Sequence, residues 1–406
     1  MNQDFDIAIC GAGVTGLLLA NLLKDSPYRV ALLDAGRPPV VTEGQETQSQ
    51  AALDSSFDSG FQPRVSALNA NSVSLLRQCS VFEKLFRFAS FHEMQIKDSE
   101  GTGEIHFTTK DLGDVPELGV VVENHLVIGG LYQELLSAEN ISLLFEHQLE
   151  DLDSDQGRTE LAFKDQPSIS CELLIAADGG NSKIRELRGR KTFGWNYDQA
   201  AIVTTLWCEK PHGNIPRQWF TQAGPLAFLP LAEPNLVSVV WSHSDADSIL
   251  ALPPEAFCRQ LAQASEMDLG SIVATDKRFS FPLRQHHAVR YSEPGIVLIG
   301  DAAHTIHPLA GQGANLGLAD AAALAQEIRQ AVFSETGLSD PELLRRFVQR
   351  RQPHNLAMAA AMEAIKQLYG RRNPVLSVLR NRVMSFLDQN SLLKSAMIRV
   401  ATDSAI

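Results

Sequence analysis

The sequence predicts an α/β protein in which a nucleotide-binding domain is interrupted by a β-rich domain and followed by helices. Three observations lead to this prediction. The chain opens with a strand, a helix and a second strand, at about 5–10, 14–23 and 29–34, which form a βαβ unit. Two later apolar strands end in Asp178 and in Asp301. Between them, in residues 195–281, Trp, Val and Thr alternate with the two-residue period of a half-buried antiparallel sheet.

The same patterns divide the chain. We predict a discontinuous nucleotide-binding domain at 1–75, 110–190 and 290–335. A β-rich second domain is predicted at 76–109 and 191–289, and a C-terminal helical region at 336–406. Helical periodicity is expected at about 69–88, 127–138 and 313–332. Residues 38–62 are rich in Pro, Gln, Ser, Thr and Gly and are predicted to form a long loop.

Length and composition exclude several function classes. A chain of 406 residues with 44% hydrophobic and 20% charged residues has the composition of a globular protein with a large core. Its net charge of -13 opposes nucleic acid as a partner. The five cysteines never form CxxC, which indicates a reducing compartment and no zinc or disulfide scaffold. No stretch approaches the ~18 apolar residues needed to span a bilayer, so we expect a soluble cytoplasmic protein without a metal.

The first motif is Gly11-x-Gly13-x-x-Gly16, between the first strand and the first helix. Glycines at these positions permit a tight turn, close approach of the backbone to a pyrophosphate, and close packing of helix on sheet. The helix N-terminus stabilises phosphate charge, and Asp34 at the end of the second strand can accept hydrogen bonds from ribose hydroxyls. Alone, the motif is also compatible with a plain glycine-rich turn.

Two further motifs follow buried strands. The first begins at Asp178-Gly179 and continues to Arg185, and the second begins at Gly300-Asp301 and continues to Asp320. Either motif alone is compatible with a loop that caps a helix. All three motifs occur in order and at wide spacing, which argues against a coincidental set of loops and favours a dinucleotide-binding protein.

On these motifs the sequence resembles the class A flavoprotein monooxygenases of the para-hydroxybenzoate hydroxylase type. Within that class it is most similar to the ubiquinone-biosynthesis hydroxylases of the UbiH/UbiF/VisC type. The resemblance extends to about residue 370 and is carried by the segments 64–69, 122–124, 176–179, 226–231 and 300–320. The block GDAAHTIHPLAGQGANLG, at 300–317, is the most specific of them. The long loop at 38–62 and Gly180, where alanine is common, depart from the family pattern.

The resemblance implies a cofactor, a reaction and site residues. The cofactor is FAD, reduced by NAD(P)H or another donor, and a flavin hydroperoxide transfers hydroxyl to an electron-rich aromatic ring. Residues that would flank the flavin ring and act in catalysis are Pro308, Gly311, Gln312 and Gly313. Residues that would bind the cofactor are Gly11, Gly13, Gly16, Asp34, Arg64, Asp178, Gly179, Arg185, Gly300, Asp301, Ala314 and Asn315. Arg64 and Arg185 are candidates for the phosphates or ribose, and Asp301 for the ribityl chain.

The resemblance also implies a substrate, a polyprenylated phenol that is hydroxylated with O2 during ubiquinone biosynthesis. Two alternatives stay open: a class A hydroxylase of a small soluble aromatic acid, and a non-catalytic flavoprotein subunit of a biosynthetic complex. A prenyl tail needs an open apolar channel, whereas a small acid needs a closed pocket with a buried arginine. We expect His304 to serve a structural hydrogen bond, and the pair His286-His287 to lie at the surface.

The C-terminal segment has the opposite charge to the rest of the chain. Residues 345–406 carry eleven Lys/Arg and three Asp/Glu, a balance of +8, whereas the preceding residues carry -21. Such segregation predicts contact with an anionic membrane surface or a biosynthetic complex, through Arg380, Arg382, Lys394 and Arg399. The chain would then be peripheral to the inner membrane, and a homo-oligomer is left open. The alternative is a pair of helices packed on the nucleotide-binding domain with solvated arginines.

Overall fold

The computed structural model describes residues 3–39, 57–113, 115–155, 157–306, 312–334, 336–338, 340–369 and 374–402. Most of the predicted loop at 38–62 therefore lies outside the described residues. The helices are α1 (Val14–Leu23), α2 (Ala70–Gln78), α3 (Asn124–Leu135), α4 (Lys183–Leu187), α5 (Ala246–Leu250), α6 (Pro254–Ala264), α7 (Gln312–Phe333), α8 (Pro341–Tyr369), α9 (Pro374–Gln389) and α10 (Ser391–Thr402). Short 3-10 helices occur at Phe82–Lys84, Thr109–Leu112 and Gly300–Ala302.

The strands form four sheets within the described residues. In chain order they are β1 (Gln3–Asp4), β2 (Ile7–Cys10), β3 (Val30–Leu33), β4 (Val65–Asn69), β5 (Ala89–Phe91), β6 (Glu93–Asp98), β7 (Glu104–Thr108), β8 (Gly119–Glu123), β9 (Ile141–Leu144), β10 (Leu149–Asp155), β11 (Arg158–Phe163), β12 (Gln166–Cys171), β13 (Leu173–Ala176), β14 (Thr192–Cys208), β15 (Arg217–Thr221), β16 (Gly224–Pro230), β17 (Leu236–His243), β18 (Ile272–Thr275), β19 (Phe279–Ala288), β20 (Ser292–Glu293), β21 (Ile296–Leu298) and β22 (His304–Thr305).

A six-stranded sheet, in the order β20-β21-β13-β2-β3-β9, is the centre of the nucleotide-binding part. All its neighbours run parallel except β20 against β21. Every residue of β2, β3 and β13 is buried, as expected for apolar runs covered on both faces. Ala176 pairs with both Cys10 and Leu298, so the three sequence motifs that follow these strands meet at one sheet edge. The predicted α/β fold class is thereby confirmed.

The β-rich part is a nine-stranded sheet built on the long strand β14. Its main order is β22-β19-β14-β17-β16-β15-β6-β7, and β18 also pairs with β14. Strands β6 and β7, at 93–108, thus belong to the same sheet as most of the segment 191–289. A three-stranded sheet, β4-β8-β5, takes strands from both predicted domains, so the predicted boundary near residue 109 runs through it. The domain limits remain a prediction.

One predicted helix is shorter in the structure than the periodicity indicates. The sequence predicted a helix over 69–88, whereas α2 covers only Ala70–Gln78 and is followed by the 3-10 helix Phe82–Lys84. The Asn69 side chain caps the start of α2 by accepting a hydrogen bond from the Ser72 N–H at 2.9 Å. Ser80, with a φ of 57°, adopts the left-handed conformation that ends a helix.

The C-terminal helices correct the prediction for two of the four basic residues. The Arg380 guanidinium is buried and lies 3.2 Å from the carboxylate of Asp98 and 3.2 Å from that of Glu100. Lys394 donates to the His106 carbonyl oxygen at 2.9 Å and pairs with Asp111 at 3.4 Å. These cations attach α9 and α10 to strands β6 and β7 and to the segments next to them, because acidic residues there face the cations. They are therefore not available to a membrane surface.

Candidate active site

The first glycine motif forms the turn from β2 into α1. A side chain at Gly11, which has a φ of 111°, would collide with the Ala177 carbonyl oxygen, and one at Gly16 would collide with the Gly11 carbonyl oxygen. Gly13 caps α1, and no atom lies within 4 Å of the position of its missing Cβ. Gly11 and Gly16 thus allow close packing, while Gly13 leaves open space at a helix N-terminus, where a phosphate is stabilised.

Asp34 lies beside this turn in a cavity of about 470 Å³. Its carboxylate accepts hydrogen bonds from the Ala12 and Gly36 N–H groups, each at 2.7 Å. Further side chains that line the cavity are those of Arg37, Gln62, His125, Ile128 and Phe145. Burial lowers the pKa of His125. The sequence analysis missed Arg37, Gln62 and His125, because none of them belongs to a glycine motif.

The second motif presents an unpartnered carboxylate oxygen. Oδ2 of Asp178 accepts from the N–H groups of Lys183 at 2.8 Å and Ile184 at 3.2 Å, at the start of α4. Oδ1 is buried without a hydrogen-bond partner among the described residues, and burial raises the pKa of this carboxyl. Gly179, with a φ of 81°, faces open space. A buried acceptor of this kind calls for a donor from a bound molecule.

Arg185 connects the second motif to the third. Its guanidinium donates to the carbonyl oxygens of Ala302, at 2.8 Å, and Gly180, and it contacts the His286 ring at 3.2 Å. The structure therefore uses Arg185 to hold two motif loops together, and its role toward phosphate or ribose stays a prediction. A side chain at Gly180 would approach the Thr305 hydroxyl to 3.2 Å, which a small residue can accommodate.

The third motif presents Asp301 and Arg64 to solvent. The Asp301 side chain is exposed, although desolvation by the protein around it raises its pKa. Arg64 is also exposed, and its guanidinium lies 4.8 Å from the centre of the Phe281 ring. Gly300, with a φ of 56°, makes the turn after β21, and its N–H donates to Asp320 at 3.0 Å. Asp301 and Arg64 thus offer an acceptor and a cation to a ligand.

The start of α7 carries the residues predicted to flank the flavin. Pro308 and Gly311 lie outside the described residues. Gln312 is the first residue of α7, and Gly313 faces open space. Ala314 packs against the main core. Asn315 is buried, and its amide binds the Asn69 N–H, the Ser72 hydroxyl and the Ala67 carbonyl oxygen at 2.7–3.0 Å. Asn315 therefore fixes α7 against β4 and α2.

An apolar pocket of about 220 Å³ adjoins the start of α7. Apolar residues of the β-rich sheet, of β5 and of the helices α8 and α10 form most of its lining, namely Phe91, Met94, Ile96, Phe107, Phe220, Leu229, Met362, Ile365, Met397 and Ile398. Its polar lining is Asn69, Arg217, Gln218, Gln312 and Asn315. For comparison, an apolar cavity of roughly 150 Å³ holds a benzene molecule. The pocket therefore has room for an aromatic ring.

A buried network holds the third motif in place. The Asp320 carboxylate pairs with His304 at 2.6 Å and with Arg351 at 2.7 Å, and it also accepts from Asn355 at 3.1 Å. Burial by itself raises the pKa of Asp320, but the His304 and Arg351 side chains lower it well below its ordinary value. The predicted structural role of His304 agrees with this geometry. Arg351 and Asn355 carry no sequence signal and were missed.

The prediction for His287 was wrong. This side chain is buried rather than at the surface, and its ring nitrogen contacts the Tyr291 hydroxyl at 2.8 Å. Burial lowers the pKa of His287 to about 4. The cause is the pairing of β19 with β22, which places residues 286 and 287 beside 305 and 304.

The observations together fit FAD. Near the ends of the parallel strands, the motifs supply open space at Gly13 and Gly179 and an unpartnered buried carboxylate oxygen of Asp178. Asp301 and Arg64 add an exposed acceptor and an exposed cation. Bound there, FAD supplies the redox chemistry and the activation of oxygen. No cluster of residues able to hold a metal ion occurs in the described parts of the chain. Within the same parts, no helix has the length and apolarity needed to cross a bilayer.

Comparison with known proteins identifies the family. A family profile for the FAD binding domain matches residues 4–362. The chain is 32% identical to 3-demethoxyubiquinol 3-hydroxylase of Escherichia coli (strain K12), over 98% of this chain and 99% of that protein. It is 30% identical to the ubiquinone biosynthesis monooxygenase COQ6 of Xenopus tropicalis, over 93% and 88%.

Solved structures agree on the fold. The structure of p-nitrophenol 4-monooxygenase from Pseudomonas putida DLL-E4 superposes with a TM-score of 0.78 at 16% identity, covering 99% of both chains. That of PqsL from Pseudomonas aeruginosa, a probable FAD-dependent monooxygenase, superposes with a TM-score of 0.75 at 19% identity, covering 95% of this chain and all of that one. The chain belongs to the family of FAD-dependent monooxygenases that includes the ubiquinone-biosynthesis hydroxylases.

Proposed function

We propose that this monooxygenase hydroxylates the aromatic ring of a polyprenylated phenol in ubiquinone biosynthesis. One oxygen atom of O2 enters a ring C–H bond as hydroxyl, the other leaves as water, and NAD(P)H supplies two electrons. The observation that carries the proposal is the apolar pocket beside α7, which has Arg217 as the one charged side chain among its described lining residues. An apolar pocket of this kind suits a ring with a hydrocarbon tail.

The guanidinium of Arg217 already has hydrogen-bond and ion-pair partners, which argues against a small aromatic acid as substrate. Its guanidinium lies 2.6 Å from the Asp268 carboxylate, and it donates to the carbonyl oxygens of His212 at 2.7 Å and Ile215 at 2.9 Å. Lys97 pairs with the same Asp268 at 3.0 Å. A substrate carboxylate would have to displace one of these partners, and losing a partner of a mostly buried charge is costly. The pocket therefore favours an uncharged ring.

The residues of this chain position the cofactor and exclude water. Asp34 and Asp301 accept hydrogen bonds from sugar and ribityl hydroxyls, and the open backbone at Gly13 admits the pyrophosphate. The N-terminus of α7 would offer backbone N–H groups to the flavin ring, where they would stabilise negative charge. Asn315 keeps this helix end fixed against β4. The apolar lining of the pocket keeps water away from the reacting ring.

The remaining functional predictions belong to the same proposal. NAD(P)H binds transiently, because the described residues contain one parallel dinucleotide sheet and the sequence carries one GxGxxG motif with a strand-end acid. We also propose that the chain acts in the cytoplasm as a peripheral protein of the inner membrane. An assembly into homo-oligomers is compatible with this arrangement.

The test is a coupled assay with purified FAD-loaded protein. NAD(P)H oxidation and oxygen consumption are measured together with product formation, for prenylated phenols and for small aromatic acids. We expect hydroxylated prenylphenol. Hydroxylation of the acids alone would favour a small-acid hydroxylase, and the absence of any coupled product would favour a non-catalytic flavoprotein subunit. Quinone intermediates of a deletion strain would identify the step, because the accumulated precursor is the substrate.

A further inference from the structure

The helix α10 forms part of the wall of the apolar pocket. Met397 and Ile398 of α10 line the pocket together with Met362 and Ile365 of α8. Met397 is also exposed at the molecular surface. One helix thus contributes to the pocket wall on one side and to the outer surface on the other, so the pocket reaches the surface beside α10.

Three contacts fix the inward side of α9, and Lys394 fixes that of α10 through the His106 carbonyl oxygen and Asp111. On α9, Asn381 accepts from the Gly103 N–H at 2.7 Å, and Asp388 accepts from the His106 N–H at 2.8 Å. Met384 of the same helix is buried and contacts the Tyr369 hydroxyl at 2.9 Å. The inward orientation of these residues determines which side chains of the two helices face outward.

The outward sides carry large apolar side chains. We call these residues the C-terminal apolar face: Val383, Phe386, Leu392, Leu393, Met397 and Val400, all exposed. Phe386 is 59% exposed and Leu392 is 81% exposed. Within α10, Leu393, Met397 and Val400 recur at the four- and three-residue spacing of one helical stripe, and Leu392 lies next to Leu393 in the sequence. Single exposed apolar residues are common in proteins, but a group of six on two adjacent helices indicates an interaction surface.

The charge around this face is positive. Asp388 is the one acidic residue between 374 and 402, and it lies 3.6 Å from Lys394. The side chains of Arg382 and Arg399 are exposed on the same two helices. Exposed apolar side chains flanked by arginines match the boundary between headgroups and acyl chains of an anionic bilayer.

We propose that the C-terminal apolar face inserts into the surface of an anionic bilayer and that the substrate enters the pocket from the lipid, past α10. The lipid origin of the substrate rests on the proposed function, whereas the docking surface rests on exposure and charge alone. The arrangement gives a hydrophobic substrate a route that does not cross water. Apolar insertion, rather than the full set of four basic residues, is the main source of membrane affinity.

Flotation of the FAD-loaded protein with vesicles of phosphatidylglycerol and phosphatidylethanolamine tests the docking surface. The variant is Phe386→Ser with Leu392→Ser, and the matched control is Leu136→Ser with Phe333→Ser, which removes two exposed apolar side chains elsewhere. We expect the first variant to bind vesicles about a hundredfold more weakly, because two large side chains no longer leave water. The control should bind like the wild type. FAD content confirms that each protein is folded.

The results separate the docking surface from the reaction. Unchanged vesicle binding by the first variant would overturn the proposal, as would an altered oligomeric state without a change in vesicle binding, which would make this face a contact between copies. Turnover of a short-chain, water-soluble prenylphenol should be unaffected, whereas turnover of a long-chain one in vesicles should fall. If the wild type hydroxylates neither, the proposed function fails, and the flotation result still reports on the face.

Discussion

Removal of Arg351 tests the buried network most sharply. Asp320 is fully buried, and its two carboxylate oxygens accept hydrogen bonds from His304, Gly300, Arg351 and Asn355. Arg351→Met removes the guanidinium but keeps most of the apolar volume of the side chain. The Asp320 carboxylate then loses a charged partner that cannot be replaced by water, because Arg351 itself is only 2% exposed.

The expected loss follows from this burial. Breaking one partner of a buried ion pair costs about 3–5 kcal/mol. For a chain of 406 residues, an unfolding entropy of about 2.1 cal/mol/K per residue converts this cost into a decrease in Tm of about 4–6 °C. Arg351→Lys should recover only part of the decrease, because Arg351 binds both Asp320 and Asn355 whereas a lysine offers a single ammonium.

Thermal unfolding of the FAD-loaded proteins, with flavin content measured in parallel, reports the decrease. Arg345→Met is the matched control, because Arg345 pairs with Glu342 on the exposed side of the same helix. Its Tm should equal that of the wild type, since exposed ion pairs contribute little. If Arg351→Met lowers Tm no more than Arg345→Met does, the network does not stabilise this region and the reasoning is refuted.

The same pair predicts a pH dependence. The pKa of Asp320 is lower in the folded protein than in the unfolded chain, where it is about 4. Its contribution to stability is therefore complete above about pH 4 and is lost as the pH falls toward the lower, folded-state value. The difference in Tm between wild type and Arg351→Met should shrink as the pH falls below about 4. A difference that stays constant would mean that Asp320 is not the charged partner.

Three further predictions concern the cofactor site and a buried histidine. Gly13→Ala should fold but bind FAD more weakly, because the added Cβ occupies space that is open in the protein. Gly16→Ala should fail to fold, because the added Cβ collides with the Gly11 carbonyl oxygen. Equal yields of folded protein for the two variants would contradict this. Asp301→Ala should weaken FAD binding by about 1.5–3 kcal/mol through loss of a charge-assisted hydrogen bond, as measured by titration of flavin fluorescence. An unchanged Kd would mean that Asp301 does not bind the cofactor. The pKa of His287 is about 4 in the folded protein and 6.5 in the free side chain. The contribution of the neutral His287 to stability is therefore complete above pH 6.5 and is lost toward pH 4, because the unfolded state takes up the proton first. The Tm of His287→Gln should decrease less steeply over this range.

The sequence predicted the parts of the fold that short-range patterns determine. Gly11, Asp178 and Asp301 follow apolar strands, and parallel pairing necessarily places the ends of such strands at one sheet edge. Asp320 was recognised within its motif. Its partner Arg351 was not, because it lies on the next helix, α8, 31 residues further along the chain, and no spacing rule indicates which arginine of that helix faces inward.

Orientation was the main source of error. Arg380 and Lys394 belong to a basic, apolar segment whose pattern is compatible with either face pointing outward. The choice depends on acidic residues far away in the sequence, Asp98, Glu100 and Asp111, which the fold brings alongside. His287 was misassigned for a similar reason, since its burial depends on the pairing of β19 with the two-residue strand β22. Such long-range contacts leave no trace in local periodicity.

The central claim is that this chain inserts an oxygen atom from O2 into the ring of a polyprenylated phenol. The most direct measurement is mass spectrometry of the product formed by the FAD-loaded protein with NAD(P)H, a prenylphenol and isotopically labelled oxygen gas. We expect a ring-hydroxylated product that carries one labelled oxygen atom, formed in proportion to the NAD(P)H oxidised. Oxidation of NAD(P)H without hydroxylated product, or a hydroxyl oxygen that comes from water, would contradict it.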